Sequence, residues 1–362
     1  MKILFLFCDM VRVEMFKSLN PSIKSSTSFE DYLENMGGTF FKNCYTPAPD
    51  TPRSIACLLT GLYPNKNGCD SRIKWPKFYL KENIPNIFTY LLENNFKINT
   101  LINERRLRVG LLPNRHSLDF TNYKDLESII KAKNKILNDK DSLTFLDFPD
   151  YHFAVDDFCG DMKAHNYGLE KLLNSLKIFF SSFNFDDFDE IFLFSDHGCV
   201  FSNDKDKIYN NICDKRSKIL MLHRSKFRKE FTYNDNLCSI MDVFPTIHEK
   251  LGVKSKINFD GSNLYKSTNH IVLEDNTSFM PSLNTMNNLW GVRYNDFFFI
   301  FYNDLIYSYE VDKEHLLKFR EKNIEPNFLD ELVLLLDKHT SSWLITKKHK
   351  TILKKYKSMK LI

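Results

Sequence analysis

Neither a charge imbalance nor a long apolar run marks this 362-residue chain. Its 50 basic and 46 acidic side chains leave a formal charge of only +4, so no whole-protein field points to nucleic acid as a partner. No apolar stretch is long enough to span a bilayer, and the opening run is too short for a secretory leader with its cleavage site. The cytoplasm is therefore the expected location. The eight cysteines include no Cys-x-x-Cys pair, and several sit in apolar runs, as reduced core cysteines do. Linkers rich in Gly, Pro or Ser are missing, as are internal repeats. What is present is a hydrophobic fraction of 43%, enough to fill a large α/β domain with a smaller appendage.

Apolar runs alternate with helical patterns along most of the chain. Strands are expected at Lys2–Cys8, Ile98–Asn103, Leu143–Phe148, Asp187–Phe194 and Lys218–Leu222, and helices at Phe29–Met36, Ile84–Asn94 and Ser239–Leu251, the last stopped by Gly252. Such alternation predicts a mainly parallel sheet covered by helices on both faces, a three-layer α/β/α core over residues 1–255. Short β-rich runs at His270–Leu273, Trp290–Tyr294, Phe297–Tyr302 and Leu305–Tyr309 predict a small antiparallel sheet within 256–312. Helices are expected to fill 313–362, at Lys313–Lys322, Leu329–His339 and from Ser342 onward. The Lys131–Asp141 stretch is the most charged part of the core. Lys347, Lys348, Lys350, Lys354, Lys355 and Lys357, interspersed with Ile352, Leu353 and Tyr356, read as a solvated basic helix with membrane contact as its alternative.

Three segments carry chemistry. The first is Ala48-Pro49-Asp50-Thr51-Pro52-Arg53-Ser54, where Pro47, Pro49 and Pro52 forbid a helix through the turn. A helix starting near Thr51 to Arg53 would aim free backbone N–H groups at an incoming anion. The second is the opening strand, ending in Asp9. The third, Asp189-Glu-Ile-Phe-Leu-Phe-Ser-Asp196-His197-Gly198, repeats the pattern of an apolar strand followed by metal-ligand chemistry. In a parallel sheet the carboxyl ends of strands share one edge, so Asp9, Thr51, Asp196 and His197 can meet there. Two carboxylates, an imidazole and a hydroxyl suit one divalent ion, Mn²⁺, Zn²⁺ or Ca²⁺. Each residue also has an ordinary structural use: Thr51 as a helix cap, the aspartates as caps of strand-to-helix turns, His197 as a hydrogen-bonded imidazole.

Thr51-Pro-Arg with Leu58-Leu-Thr-Gly-Leu-Tyr-Pro64, together with Phe194-Ser-Asp-His-Gly198, resembles the sulfatase family of the alkaline phosphatase superfamily. Weaker similarities at Ser239-Ile-Met-Asp-Val-Phe-Pro-Thr-Ile, Asp260-Gly-Ser-Asn-Leu and Trp290-Gly-Val-Arg-Tyr extend the resemblance to about residue 310. It places Thr51 where sulfatases carry the Cys or Ser converted to formylglycine, and threonine cannot become that aldehyde. The family's arginine position is occupied by Ile55. What the resemblance implies is phosphoryl or substituted-phosphoryl chemistry through a covalent Thr51 intermediate, on a small-molecule or glycan anionic ester such as a nucleotide-linked or lipid-linked precursor. Sulfate-ester hydrolysis by unmodified Thr51, and a non-catalytic glycan-binding protein of the same fold, are the alternatives.

Supporting roles follow from residue type. Arg53 is the expected anion clamp, with Arg72, Arg216 and Lys218 as further substrate-binding candidates or structural salt-bridge partners. Asp150-Tyr-His152 resembles the Asp-x-His of single-metal relatives, which makes His152 the candidate for holding substrate oxygens or protonating the leaving group, with a structural histidine near a strand end as the alternative. Asp150, Asp161 and His165 are candidates for a second metal, since Asp161-Met-Lys-Ala-His165-Asn-Tyr-Gly168 resembles the Asp-x-x-x-His-x-x-Gly of two-metal relatives. The competing reading puts Asp161 and His165 at a helix start, capping or facing solvent.

Overall fold

The computed structural model describes residues 1–69, 80, 81, 83–102, 121–157, 161–201, 212–252, 257–275, 289–302, 305–312, 316–320 and 323–359. Eight strands form the main sheet: β1 (Lys2–Cys8), β2 (Thr39–Tyr45), β3 (Lys97–Leu101), β4 (Thr121–Asn122), β5 (Ser142–Phe148), β6 (Glu190–Phe194), β7 (Met221–Ser225) and β8 (Thr232–Ser239). Their spatial order is β4-β3-β5-β1-β6-β7-β2-β8. β1 is parallel to both β5 and β6. β7 runs antiparallel to both β6 and β2, so β2 points the same way as β1, β5 and β6. The carboxyl ends of these four strands share one edge.

Continuous apolar sequence explains the centre of this sheet. β1 is buried along almost its whole length, as a strand covered on both faces must be. Its side chains alternate between two cores. Ile3, Phe5 and Phe7 enter one, which includes Phe145, Phe192 and Phe194, while Leu4, Leu6 and Cys8 enter the other, beneath the Ser28–Met36 and Met162–Phe180 helices. Phe5 meets Phe145, Phe192 and Phe194 edge to face at 5.5–5.9 Å, a geometry that favours aromatic pairs. No disulfide joins the described cysteines, and among the described residues no helix is long and apolar enough to cross a membrane.

A second, antiparallel sheet has the order β13-β12-β11-β10-β9, built from β9 (His270–Asp275), β10 (Leu289–Tyr294), β11 (Phe297–Tyr302), β12 (Leu305–Val311) and β13 (Leu317–Phe319). Helices Pro326–His339 and Ser341–Ser358 follow. The helix expected at Lys313–Lys322 is overturned, because Leu317–Phe319 pairs with Tyr309–Val311 as a fifth strand. An available edge of β12 outcompetes weak local helix preference there. The Lys218–Leu222 strand begins later, at Met221, and continues through His223, Arg224 and Ser225. These buried polar side chains are satisfied by partners remote in sequence: His223 by Glu190 and Arg224 by Asp186.

The Thr51–Thr60 helix starts with Asp50 as N-cap, Thr51 as its first residue and Pro52 in its first turn, where a missing N–H is harmless. It ends at Gly61 with φ +66°, in the left-handed region that glycine enters without strain. A Cβ at Gly61 would also lie 2.6 Å from the Phe259 ring. Gly61→Ala is therefore expected to destabilise the protein by about 1–3 kcal/mol, read as a lower urea midpoint. An unchanged midpoint would show that this turn relaxes freely.

Candidate active site

Four parallel strand ends deliver the site. Asp9 follows β1 directly, and Met10 turns the chain with φ +65°, an unusual conformation for a residue with a side chain. The turn aims the Met10 N–H at Asp196 Oδ1, 3.1 Å away. Asp196 follows β6, and its Oδ1 also accepts from the His197 N–H at 2.8 Å. Gly198 then passes close to the Lys215 carbonyl, which a Cβ would approach to 2.2 Å. From the end of β2 the chain reaches Thr51. Ser54, one turn into that helix, donates to the Asp196 carbonyl at 2.7 Å, locking the helix onto the end of β6.

The donors converge in a buried pocket of negative charge. Ligand atoms of Asp9, Asp196 and His197 all lie within 4.8 Å of one another. Burial and the neighbouring Asp9 charge raise the Asp196 carboxyl well above its ordinary range, opposed by the Thr51 hydroxyl and the Met10 N–H. His197 is pushed down to about 4, first by burial and then by Arg216, so its ring is neutral near pH 7. Its Nδ1 lies 2.7 Å from the Gly198 carbonyl; the neutral ring donates there and turns the Nε2 lone pair toward the site. That Nε2 is 3.4 Å from Thr51 Oγ1 and 3.4 Å from Asp196 Oδ2.

These separations fit a divalent ion. Donors around a tetrahedral ion with bonds of ~2.1 Å stand about 3.4 Å apart. A six-coordinate ion with bonds of ~2.4 Å gives nearly the same edge, so the spacing fits the charge class rather than one element. Asp196 Oδ2 is buried and makes no hydrogen bond within the standard distance and angle limits among the described residues, as an atom reserved for a cation would be. Asp9, Thr51, Asp196 and His197 would hold it.

A stability test follows from the charge. In the metal-free protein the raised Asp196 carboxyl destabilises the fold above its folded pKa, and protonation relieves that strain as pH falls toward the unfolded value of 3.8. Protons and metal thus compete. Mn²⁺, Zn²⁺ or Ca²⁺ at 100 times its dissociation constant is expected to stabilise by ~2.7 kcal/mol, visible as a higher Tm at pH 8 and a smaller rise at pH 5. Equal rises at both pH values, or the same rise in Asp196→Asn, would contradict this assignment.

The remaining candidates separate clearly. His152, on the Asp150–Asp157 helix that follows β5, reaches the site: its Nδ1 is 2.6 Å from Asp9 Oδ2 and its Nε2 3.1 Å from Asp156 Oδ2. Arg216 and His197 line a cleft of about 310 Å³ together with Met10, Val155, Asp156, Gly198, Cys199 and Val200, and Arg216 also donates to the Pro49 carbonyl. Arg53 does not face this cleft. It is fully buried, bonded to Asp50 and Glu274, with Asp275 3.9 Å away. Three carboxylates claim the guanidinium that was expected to clamp an anion. Lys218 is likewise buried, 3.7 Å from Asp214 and near the Tyr45 ring. Arg72 lies outside the described residues.

The second-metal set is not assembled among the described residues, where Asp9, Asp196 and His197 are the one such group. Asp150 accepts from Ser175. Asp161 caps the Met162–Phe180 helix, as its alternative reading had it. His165 is buried rather than solvent-facing, 2.8 Å from the Tyr151 hydroxyl, and burial pushes it down to about 3. Sequence reading missed Asp50, Asp156, Glu274 and Asp275. The last two had a signal: they close the apolar run of β9 just as Asp9 closes β1.

No family model and no curated protein matches the chain. Solved structures do. A 2-O GAG sulfatase superposes with a TM-score of 0.66 at 13% identity, covering 99% of this chain and 91% of that one. A protein of the alkaline phosphatase superfamily from Vibrio parahaemolyticus gives 0.62 at 14%, covering 91% and 83%. The phosphonate monoester hydrolase of Agrobacterium radiobacter gives 0.60 at 11%, covering 96% and 95%. The chain thus has the sulfatase-like α/β fold of the alkaline phosphatase superfamily. Within that fold, a threonine starts the helix beside the Asp9, Asp196 and His197 group.

Proposed function

We propose that this protein is a metal-dependent enzyme that hydrolyses or transfers phosphoryl or substituted-phosphoryl esters through a covalent Thr51 intermediate. The observation that carries this reading is the Thr51 hydroxyl, the first residue of its helix, 3.4 Å from His197 Nε2 beside two buried carboxylates. A divalent ion, when bound, would lower the pKa of that hydroxyl and neutralise charge on the substrate. Thr51 Oγ1 then forms a bond to phosphorus as the bond to the leaving oxygen breaks, and the hydroxyl proton passes to solvent water. Arg216, at the cleft wall, takes the role first expected of Arg53 and holds nonbridging oxygens. The oxygen of water or of an acceptor hydroxyl finally bonds to phosphorus as the Thr51–phosphorus bond breaks, its proton going to solvent while Thr51 Oγ1 regains one.

His152 supplies the leaving-group proton in this scheme, after its Nε2 turns from Asp156 to the departing oxygen. A proton matters most to a poor leaving group. His152→Ala is therefore expected to lower kcat/KM by roughly 10²–10⁴-fold on alkyl esters and far less on a nitrophenyl ester. Equal losses on both would remove His152 from the acid role.

The substrate class we favour is an anionic ester of a glycan or nucleotide-linked glycan precursor met in the cytoplasm, supported by the GAG sulfatase's shared fold. Matched aryl phosphomonoester, phosphodiester, phosphonate and sulfate substrates, given with each metal, test the reaction class. Acid quenching followed by mass spectrometry should find the phosphoryl group on Thr51. Turnover confined to the sulfate ester would overturn the reading in favour of a sulfatase. Metal binding without turnover of any ester, and glycan binding indifferent to Thr51→Ala, would leave a binding protein of this fold.

A further inference from the structure

Charge is segregated along the chain in a way that the small net value hides. From residue 338 onward there are eight lysines and no acidic residue, so the first 337 residues carry 42 basic against 46 acidic side chains. The positive end coincides with the Ser341–Ser358 helix. Trp343 anchors that helix, its ring 5.0 Å from Trp290 and 5.8 Å from Phe301 of the second sheet. Residues 344, 348, 352, 355 and 359 are spaced by four and three, so they form one stripe along the helix and the turn after it. The stripe reads Leu344, Lys348, Ile352, Lys355, Met359, and all five side chains are exposed. Lys347 and Lys354 flank it, also exposed, with Lys347 3.3 Å from Asp337.

Water suits only half of such a stripe. A purely electrostatic surface has no use for exposed Leu, Ile and Met between its lysines, and a self-association seam would bring lysine against lysine. The boundary between lipid headgroups and acyl chains satisfies both kinds of side chain at once: the apolar groups enter it, and the ammonium groups rise along their methylene stems to the phosphates. We propose that the Ser341–Ser358 helix is a docking surface for an anionic membrane, lying flat in the headgroup layer with the Leu344–Met359 stripe facing inward. The chemistry at Thr51 plays no part in this inference.

The test uses the full chain and sedimentation with vesicles of phosphatidylcholine alone or with 30% phosphatidylglycerol. Binding to the anionic vesicles should be at least tenfold stronger, and should fall several-fold between 0.1 and 0.5 M salt. Lys348→Glu with Lys355→Glu should abolish it. Ile352→Ser should weaken it about threefold or more, while circular dichroism and Tm stay unchanged, since all three positions are exposed. Equal binding to the two vesicle types, no binding, or binding untouched by the lysine pair would overturn the proposal. Tighter binding to a single-stranded oligothymidylate than to the vesicles, with Ile352→Ser silent, would assign the surface to a polyanion instead.

Discussion

Thr51→Ala is expected to lower ester turnover by at least about 10³-fold while leaving the thermal midpoint almost where it was. The reason is local. Thr51 is the first residue of its helix, half-buried, and the helix is held by other groups: the Asp50 cap, Ser54 on the Asp196 carbonyl and Thr46 on Ser54. Alanine is well tolerated in a first helical turn. What disappears is the only protein atom in the scheme that bonds to phosphorus, and a lost nucleophile typically costs several orders of magnitude. Thr51→Ser keeps an oxygen there and should retain most of the metal response and a measurable part of the rate. Steady-state kinetics and a metal-dependent Tm shift on the same samples separate the two roles. Retained turnover in Thr51→Ala would end the covalent mechanism.

Arg53→Met should unfold the protein or nearly so, a larger stability effect than any substitution at the cleft. The guanidinium is completely buried against Asp50, Glu274 and Asp275, and the carboxylates hold its proton more tightly than usual. Removing the cation leaves those acids together in a low-dielectric interior. Breaking one buried pair costs about 3–5 kcal/mol, against a total stability of roughly 5–15 kcal/mol. Arg53→Lys keeps the charge but loses the planar fork, and should fold with a Tm lower by several degrees. The pH response gives a second reading. In Arg53→Met the clustered carboxyls acquire raised pKa values, so stability should recover as pH falls from 8 to 5, a trend that the wild type does not share at this site. A variant melting like the wild type at pH 8 would show that the web contributes nothing.

The contrast between Thr51 and Arg53 shows what a sequence discloses. β1 and β6 were legible because their apolar runs are unbroken, and Asp9, Asp196 and His197 were legible because they stand within three residues of the end of such a run. Thr51 followed from three nearby prolines, with Asp50 rather than Thr51 proving to be the cap. Arg53 was misread because its partners on β9 lie 221 and 222 residues away, beyond any local pattern. β8 escaped notice for a different reason: Thr232-Tyr-Asn-Asp-Asn is polar because it forms an exposed sheet edge, where hydrophobic alternation is not required. The Lys313–Lys322 helix failed where strand pairing with β12 overrode helical preference. His165 matched a motif by spacing alone, yet its ring is buried beside Tyr151 and is not part of the Asp9, Asp196 and His197 group.

The order β5-β1-β6 has a consequence for how such a protein can change. Asp9 and Asp196 stand just past the ends of the neighbouring parallel strands β1 and β6, with His152 on the helix that follows β5, and hydrogen bonding fixes the distance between neighbouring strands at about 4.8 Å. The sheet therefore acts as a ruler. The gaps between donors are set by backbone repeat distances common to every protein sheet, and they stay put when helices lengthen or loops are rebuilt. Sequence drift over most of the surface can reshape what enters the cleft while the charged centre keeps its dimensions. Identity can fall very low before that geometry feels it.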